Sequence, residues 1–60
     1  MAADDARNQR DWPSAAQHYR QVLDADPGRA DIWVQYGHSL KEVGAVADAE
    51  VSYRRAIDIS

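Results

Sequence analysis

The sequence predicts an all-α protein built of antiparallel helical hairpins. Three observations carry that prediction. From residue 12 onward, apolar side chains recur every three or four positions, the spacing of one helix face. No stretch alternates apolar and polar residues as a half-buried strand does. The prolines and glycines are confined to Pro13, Pro27-Gly28, Gly37 and Gly44, and they divide the chain into pieces of helix length.

Four helical segments follow. The first is short, about residues 2–9, with Ala2, Ala3 and Ala6 on one side. The second runs about 12–25, and its stripe is Trp12, Ala15, Ala16, Tyr19, Val22 and Leu23. Asp11 suits its N-cap, and Pro13 sits in the first turn, where a missing N–H does little harm. The third runs about 30–43, after the Asp26-Pro27-Gly28 break, with stripe Trp33, Tyr36, Gly37, Leu40 and Val43. Asp31 lies in its first turn, where a negative charge suits the helix dipole, and Gly44 supplies a left-handed stop. The fourth runs about 46–59, with stripe Val46, Ala49, Tyr53, Ala56 and Ile57. Asp48 and Glu50 stand near its start and Arg54-Arg55 further on, the favourable order for the dipole.

Gly37 is out of place in this scheme. Glycine inside a helix costs roughly 1 kcal/mol relative to Ala. Its presence among Trp33, Tyr36 and Leu40 implies that another helix passes very close there. Ala49 is the small residue expected on the other side of that crossing.

The totals narrow the function. The chain has 60 residues, room for one small domain, and such a domain buries only about 60% of the surface its unfolded chain exposes. Without Cys, no disulfide or thiolate–metal site supports it. Seven basic and ten acidic residues give a net charge of −3, and the basic residues are scattered apart from Arg54-Arg55, so the footprint of a nucleic-acid binder is absent. No apolar run approaches the ~20 residues of a membrane span, and the polar, acidic start is not a signal peptide. A cytoplasmic location is the corresponding expectation.

The chain also repeats itself. Displaced by 34 residues, Ala15 falls on Ala49, Tyr19 on Tyr53, Arg20 on Arg54 and Asp24 on Asp58, with Leu23 on Ile57 and Trp12 on Val46. Trp33-x₂-Tyr36-Gly37-x₂-Leu40 is followed by Ala49-x₃-Tyr53, and in the preceding unit Ala15-x₃-Tyr19 is followed by Pro27. This resembles the tetratricopeptide repeat, a 34-residue helix–turn–helix unit with the pattern W-x₂-L-G-x₂-Y, A-x₃-F, P. Here the Leu and Tyr positions are exchanged, and Tyr replaces Phe. The resemblance spans the whole chain. It divides the chain into 1–29, a repeat lacking its first residues, and 30–60, a nearly whole repeat.

The resemblance implies a short α-solenoid, a fragment of a right-handed superhelix. Its packing residues would be Trp12, Ala15, Tyr19, Leu23, Pro27, Trp33, Tyr36, Gly37, Leu40, Ala49, Tyr53, Ala56 and Ile57. Tyr53 and Ala56 would face the next repeat. It also implies a scaffold rather than an enzyme, with a concave groove that takes a protein or peptide partner. That groove would be formed by Asp31, Val34, Gln35, His38, Lys41 and Glu42, with Asp4, Arg7 and Asn8 from the short first helix. Family members that clamp chaperone carboxylate tails use Lys, Arg and Asn in the groove. Val34, Gln35 and His38 stand at the matching places here, leaving Lys41 as the one cation, so that specificity is not expected. Two further readings stand beside this one. The chain could self-associate through exposed repeat ends near Val51, Ile57 and Ile59. It could also be the docking segment of a larger enzyme, such as a bacterial glycosyltransferase or methyltransferase.

No catalytic or metal constellation competes with these readings. His18 and His38 lie on different helices, with no Cys and no H-E-x-x-H spacing to complete a zinc set. Ser14, Ser39, Ser52 and Ser60 lack a G-x-S-x-G setting, and no Gly-rich phosphate loop exists. Asp4-Asp5 reads as a solvated acidic turn. No cofactor is expected. Trp12, Trp33 and the tyrosines could in principle stack on bases or sugars, but helical spacing places them in the core.

Overall fold

A computed structural model describes residues 11–60, and the short first helix expected at 2–9 lies outside them. The described residues are all-helical: α1 is Trp12–Ala25, α2 is Ala30–Glu42 and α3 is Val46–Ile59. Consecutive helices pack as hairpins. α2 is shared, packing on α1 along one side and more extensively on α3 along the other.

The boundaries follow from local chemistry. Asp11 occupies the N-cap of α1, and its carbonyl accepts from the Ala15 N–H at 3.0 Å. Its carboxylate makes no capping bond, so Pro13, whose fixed φ suits the first turn, is the remaining sequence-encoded start signal. α2 ends in a Schellman motif. Gly44 has φ +90°, its N–H reaches the Lys41 carbonyl at 3.0 Å, and the Ala45 N–H reaches the Leu40 carbonyl at 2.8 Å. Ala45 also packs against the buried cluster that contains Leu40, in keeping with the apolar contact that accompanies the motif. α2 stops at Glu42, one residue earlier than the spacing predicts, with Val43 as its cap.

The core is small and rich in alanine. Ala15, Ala16, Tyr19 and Leu23 are buried from α1, Leu40 from α2, and Ala49 and Ala56 from α3. One cluster joins Ala15 and Tyr19 to Ile32 and Tyr36. A second joins Ala16, Leu40 and Ala49 to Tyr36, Ala45 and Tyr53. Tyr36 bridges the two and so ties α1 and α3 to α2. Two buried serines serve the packing. Ser39 Oγ donates to the Gln35 carbonyl in its own helix, and Ser52 Oγ donates across the hairpin to the Trp33 carbonyl at 2.6 Å. Every buried side-chain polar atom described has a partner.

Gly37 is buried, but the group pressed on it is not a backbone. A Cβ at Gly37 would lie 2.8, 2.9 and 3.1 Å from ring atoms of Tyr53. The glycine makes room for that ring inside the hairpin. Tyr53, expected in the packing set and to face a following repeat, packs on α2.

Other core expectations need correction. Val46 is 56% exposed and Val43 42%, because no described element lies over those parts of α2 and α3, and Ile57, expected both in the packing set and at an exposed repeat end, is 73% exposed. Pro27 is exposed, and its carbonyl rather than its ring is used: it accepts from Trp33 Nε1 at 2.8 Å. Trp12 and Trp33 are half-buried at the rims rather than enclosed. No described helix is long and apolar enough to cross a membrane.

Candidate functional site

α2 lies between the other helices and presents two opposite sides. On the outer side, successive turns place Asp31, Val34, His38, Lys41 and Glu42 together, because 31, 34, 38, 41 and 42 fall within one arc at 3.6 residues per turn. All five are exposed, and Gln35 among them is half-buried. The buried residues Gly37, Ser39 and Leu40 point the other way. Asp4, Arg7 and Asn8, expected to extend this face, lie outside the described residues.

Two contacts frame the face. At its N-terminal end, Arg29 forms a two-pronged pair with Asp31, Nη2 to Oδ2 at 3.0 Å and Nε to Oδ1 at 3.2 Å. That guanidinium holds the Asp31 carboxyl below the usual carboxylate range. Midway along, the Trp12 and His38 rings meet edge to face, with centroids 5.0 Å apart. The beginning of α1 thereby forms a wall beside His38.

The inner side of α2 is the floor of a cleft of about 520 Å³. Trp33, Tyr36 and Leu40 form the floor. Arg20, Leu23 and Asp24 of α1 form one wall, and Asp48, Val51, Arg55 and Ile59 of α3 the other. The walls differ electrostatically. Arg20 is committed to groups of its own chain: hydrogen bonding to Tyr36 of α2 and then to Asp24 of α1 raises its pKa above the ordinary guanidinium value, and the Asp24 bond measures 3.2 Å. Arg55 lies over the Trp33 ring, 5.9 Å from its centroid, and neither Arg55 nor Asp48 has an ion-pair partner among the described residues.

A second depression, about 340 Å³, lies at the end of the α2–α3 pair, between Ala30, Asp31 and Val34 on one side and Tyr53, Ala56 and Ile57 on the other. It is largely apolar. The equivalent residues of α1, 34 positions earlier, are Tyr19, Val22 and Leu23; Tyr19 and Leu23 are buried, with α2 as the helix against them.

Sequence reasoning about the outer face did not identify the cleft. Its walls join residues far apart in the chain, and the one local hint was the spacing Asp48, Val51, Arg55 and Ile59 along α3. Ser39 and Ser52, considered as nucleophiles, are instead buried and spent on backbone carbonyls. Among the described residues, no three acidic or histidine side chains gather as a metal site would require.

No family model matches the sequence, and no solved structure matches it. The chain is similar to part of the general transcriptional corepressor ssn6 of Schizosaccharomyces pombe, with 33% identity over 51 residues. The match covers 85% of this chain and 5% of that protein, so the chain spans a small part of the relative's length.

Proposed function

We propose that this chain is a non-catalytic protein-interaction module of the tetratricopeptide type, a nearly whole hairpin repeat over 30–60 preceded by part of another. In this reading the outer face of α2 receives a peptide or protein segment. The observation that carries it is the exposure of Asp31, Val34, His38, Lys41 and Glu42 on one arc of a helix whose other side is packed by α1 and α3. An apolar contact at Val34 and an imidazole at His38, flanked by charges of both signs, suit a partner of mixed charge with an apolar anchor. The comparison supports the reading in general terms, since the relative is named for transcriptional corepression and not for a reaction.

Peptide selection against the folded chain tests this. Selected peptides should lose about tenfold or more in affinity with Val34→Arg or Lys41→Glu, the loss expected when an interface residue of ordinary importance is replaced. They should bind unchanged to Asp48→Arg, which lies on the other side of the molecule. Equal binding to the Val34 and Lys41 variants would refute the assignment of this face.

A further inference from the structure

We infer that the cleft side of α3 is a self-complementary surface, and that it pairs two copies of this chain antiparallel about a two-fold axis beside Val51. The inference stands apart from the partner face on the outside of α2 and does not depend on it.

Asp48 and Arg55 are seven residues apart, two helical turns, so they lie on one stripe of α3 about 10 Å from each other. Val51 lies between them and Ile59 one turn beyond, and all four line the cleft. The stripe therefore reads anion, apolar, cation, apolar. Val51 is 59% exposed and Ile59 41% exposed. Neither charge is neutralised within the chain by an ion pair among the described residues, in contrast to Arg20 and Arg29, which are each held by a carboxylate of their own chain.

A two-fold axis makes residue i of one copy meet residue j of the other, and j meet i. Antiparallel α3 helices centred between positions 51 and 52 place Asp48 of each copy opposite Arg55 of the other. The two Val51 side chains then meet near the axis. One surface thus supplies two ion pairs and an apolar centre without a second sequence. The Trp33 ring beneath Arg55 favours this use: the guanidinium carbon lies 5.9 Å from the ring centroid, a cation–π contact that does not neutralise the charge an incoming carboxylate would meet. A parallel arrangement would set Asp48 beside Asp48 and Arg55 beside Arg55, and like charges so placed repel. The mixed cleft thereby selects one orientation. The apolar depression at Ile57 lies elsewhere and is not part of the contact.

Sedimentation equilibrium on the 60-residue chain tests the pairing, with circular dichroism confirming that each variant stays helical. The expected result is a monomer–dimer equilibrium, from 6.7 kDa towards twice that mass as concentration rises. Asp48→Arg and Arg55→Asp should each weaken association about tenfold or more, because each sets like charges face to face at two symmetric places. The double variant, with the charges exchanged, should restore it, and Ile57→Glu should leave it unchanged. A chain that stays monomeric up to its solubility limit overturns the inference. So does a double variant no tighter than the singles, or a dimer that Ile57→Glu dissolves, since the last would place the contact at the other depression.

Discussion

Gly37 and Tyr53 show how one residue's cost is offset by another's position. The glycine lowers the propensity of α2, and a six-membered ring occupies the space a side chain would need. Gly37→Leu should destabilise the fold by about 1–3 kcal/mol, the usual range for overpacking, as read from urea unfolding. Tyr53→Ala in the same chain should reduce that penalty, because the obstructing ring is gone. The position of the close approach was legible in the sequence, since a glycine amid large apolar residues needs a reason. Its partner was not, because a small residue shows only that something is near. Arg29 and Asp31 give a second prediction at this scale. Arg29 lowers the Asp31 pKa, so the stabilisation from that pair is present above the unfolded-state pKa and is lost as pH falls through the lower folded-state value. Arg29→Ala should move the Asp31 titration upward in a carboxylate-resolved NMR experiment, and an unmoved midpoint would show that the pair does not form in solution.

The helices themselves were readable because their signals are local. Periodicity marks the buried stripes of α1 and the middle of α2, and Gly44 ends α2 through a positive φ that other residues adopt only with strain. Gly44→Val should cost about 1–2 kcal/mol in thermal unfolding, although an added Cβ meets nothing within 4 Å, because the penalty lies in the backbone. What was not readable is whether an apolar stripe has a neighbour. Leu23 and Ile57 occupy equivalent positions 34 residues apart and have the same chemistry, yet one is 3% exposed and the other 73%. Helix α2 packs on α1 at the first, and no described element lies over the second. The serine at 52 carries the same lesson in reverse: a polar residue in a helix becomes a cross-hairpin tie only once α2 is placed beside it.

As a whole the described chain is a thin body, 29 × 23 × 15 Å, with α2 in the middle. Such a shape encloses few of its larger apolar residues: Tyr19, Leu23 and Leu40 are buried with four alanines, while Val34, Val46, Val51, Ile57 and Ile59 all meet solvent. Exposed apolar groups on several faces suit a protein whose business is contact with other chains. The outer α2 face was legible as an arc of polar residues opposite a packed one. The cleft was not, because Arg20, Trp33 and Arg55 come together only through the tertiary arrangement. The most direct test of the central claim is to map a selected peptide onto the chain by amide chemical-shift changes. The largest changes should fall at Asp31, Val34, His38, Lys41 and Glu42, with Trp12 affected through His38. Changes concentrated at Arg20, Trp33, Asp48 and Arg55, with the outer face silent, would contradict it.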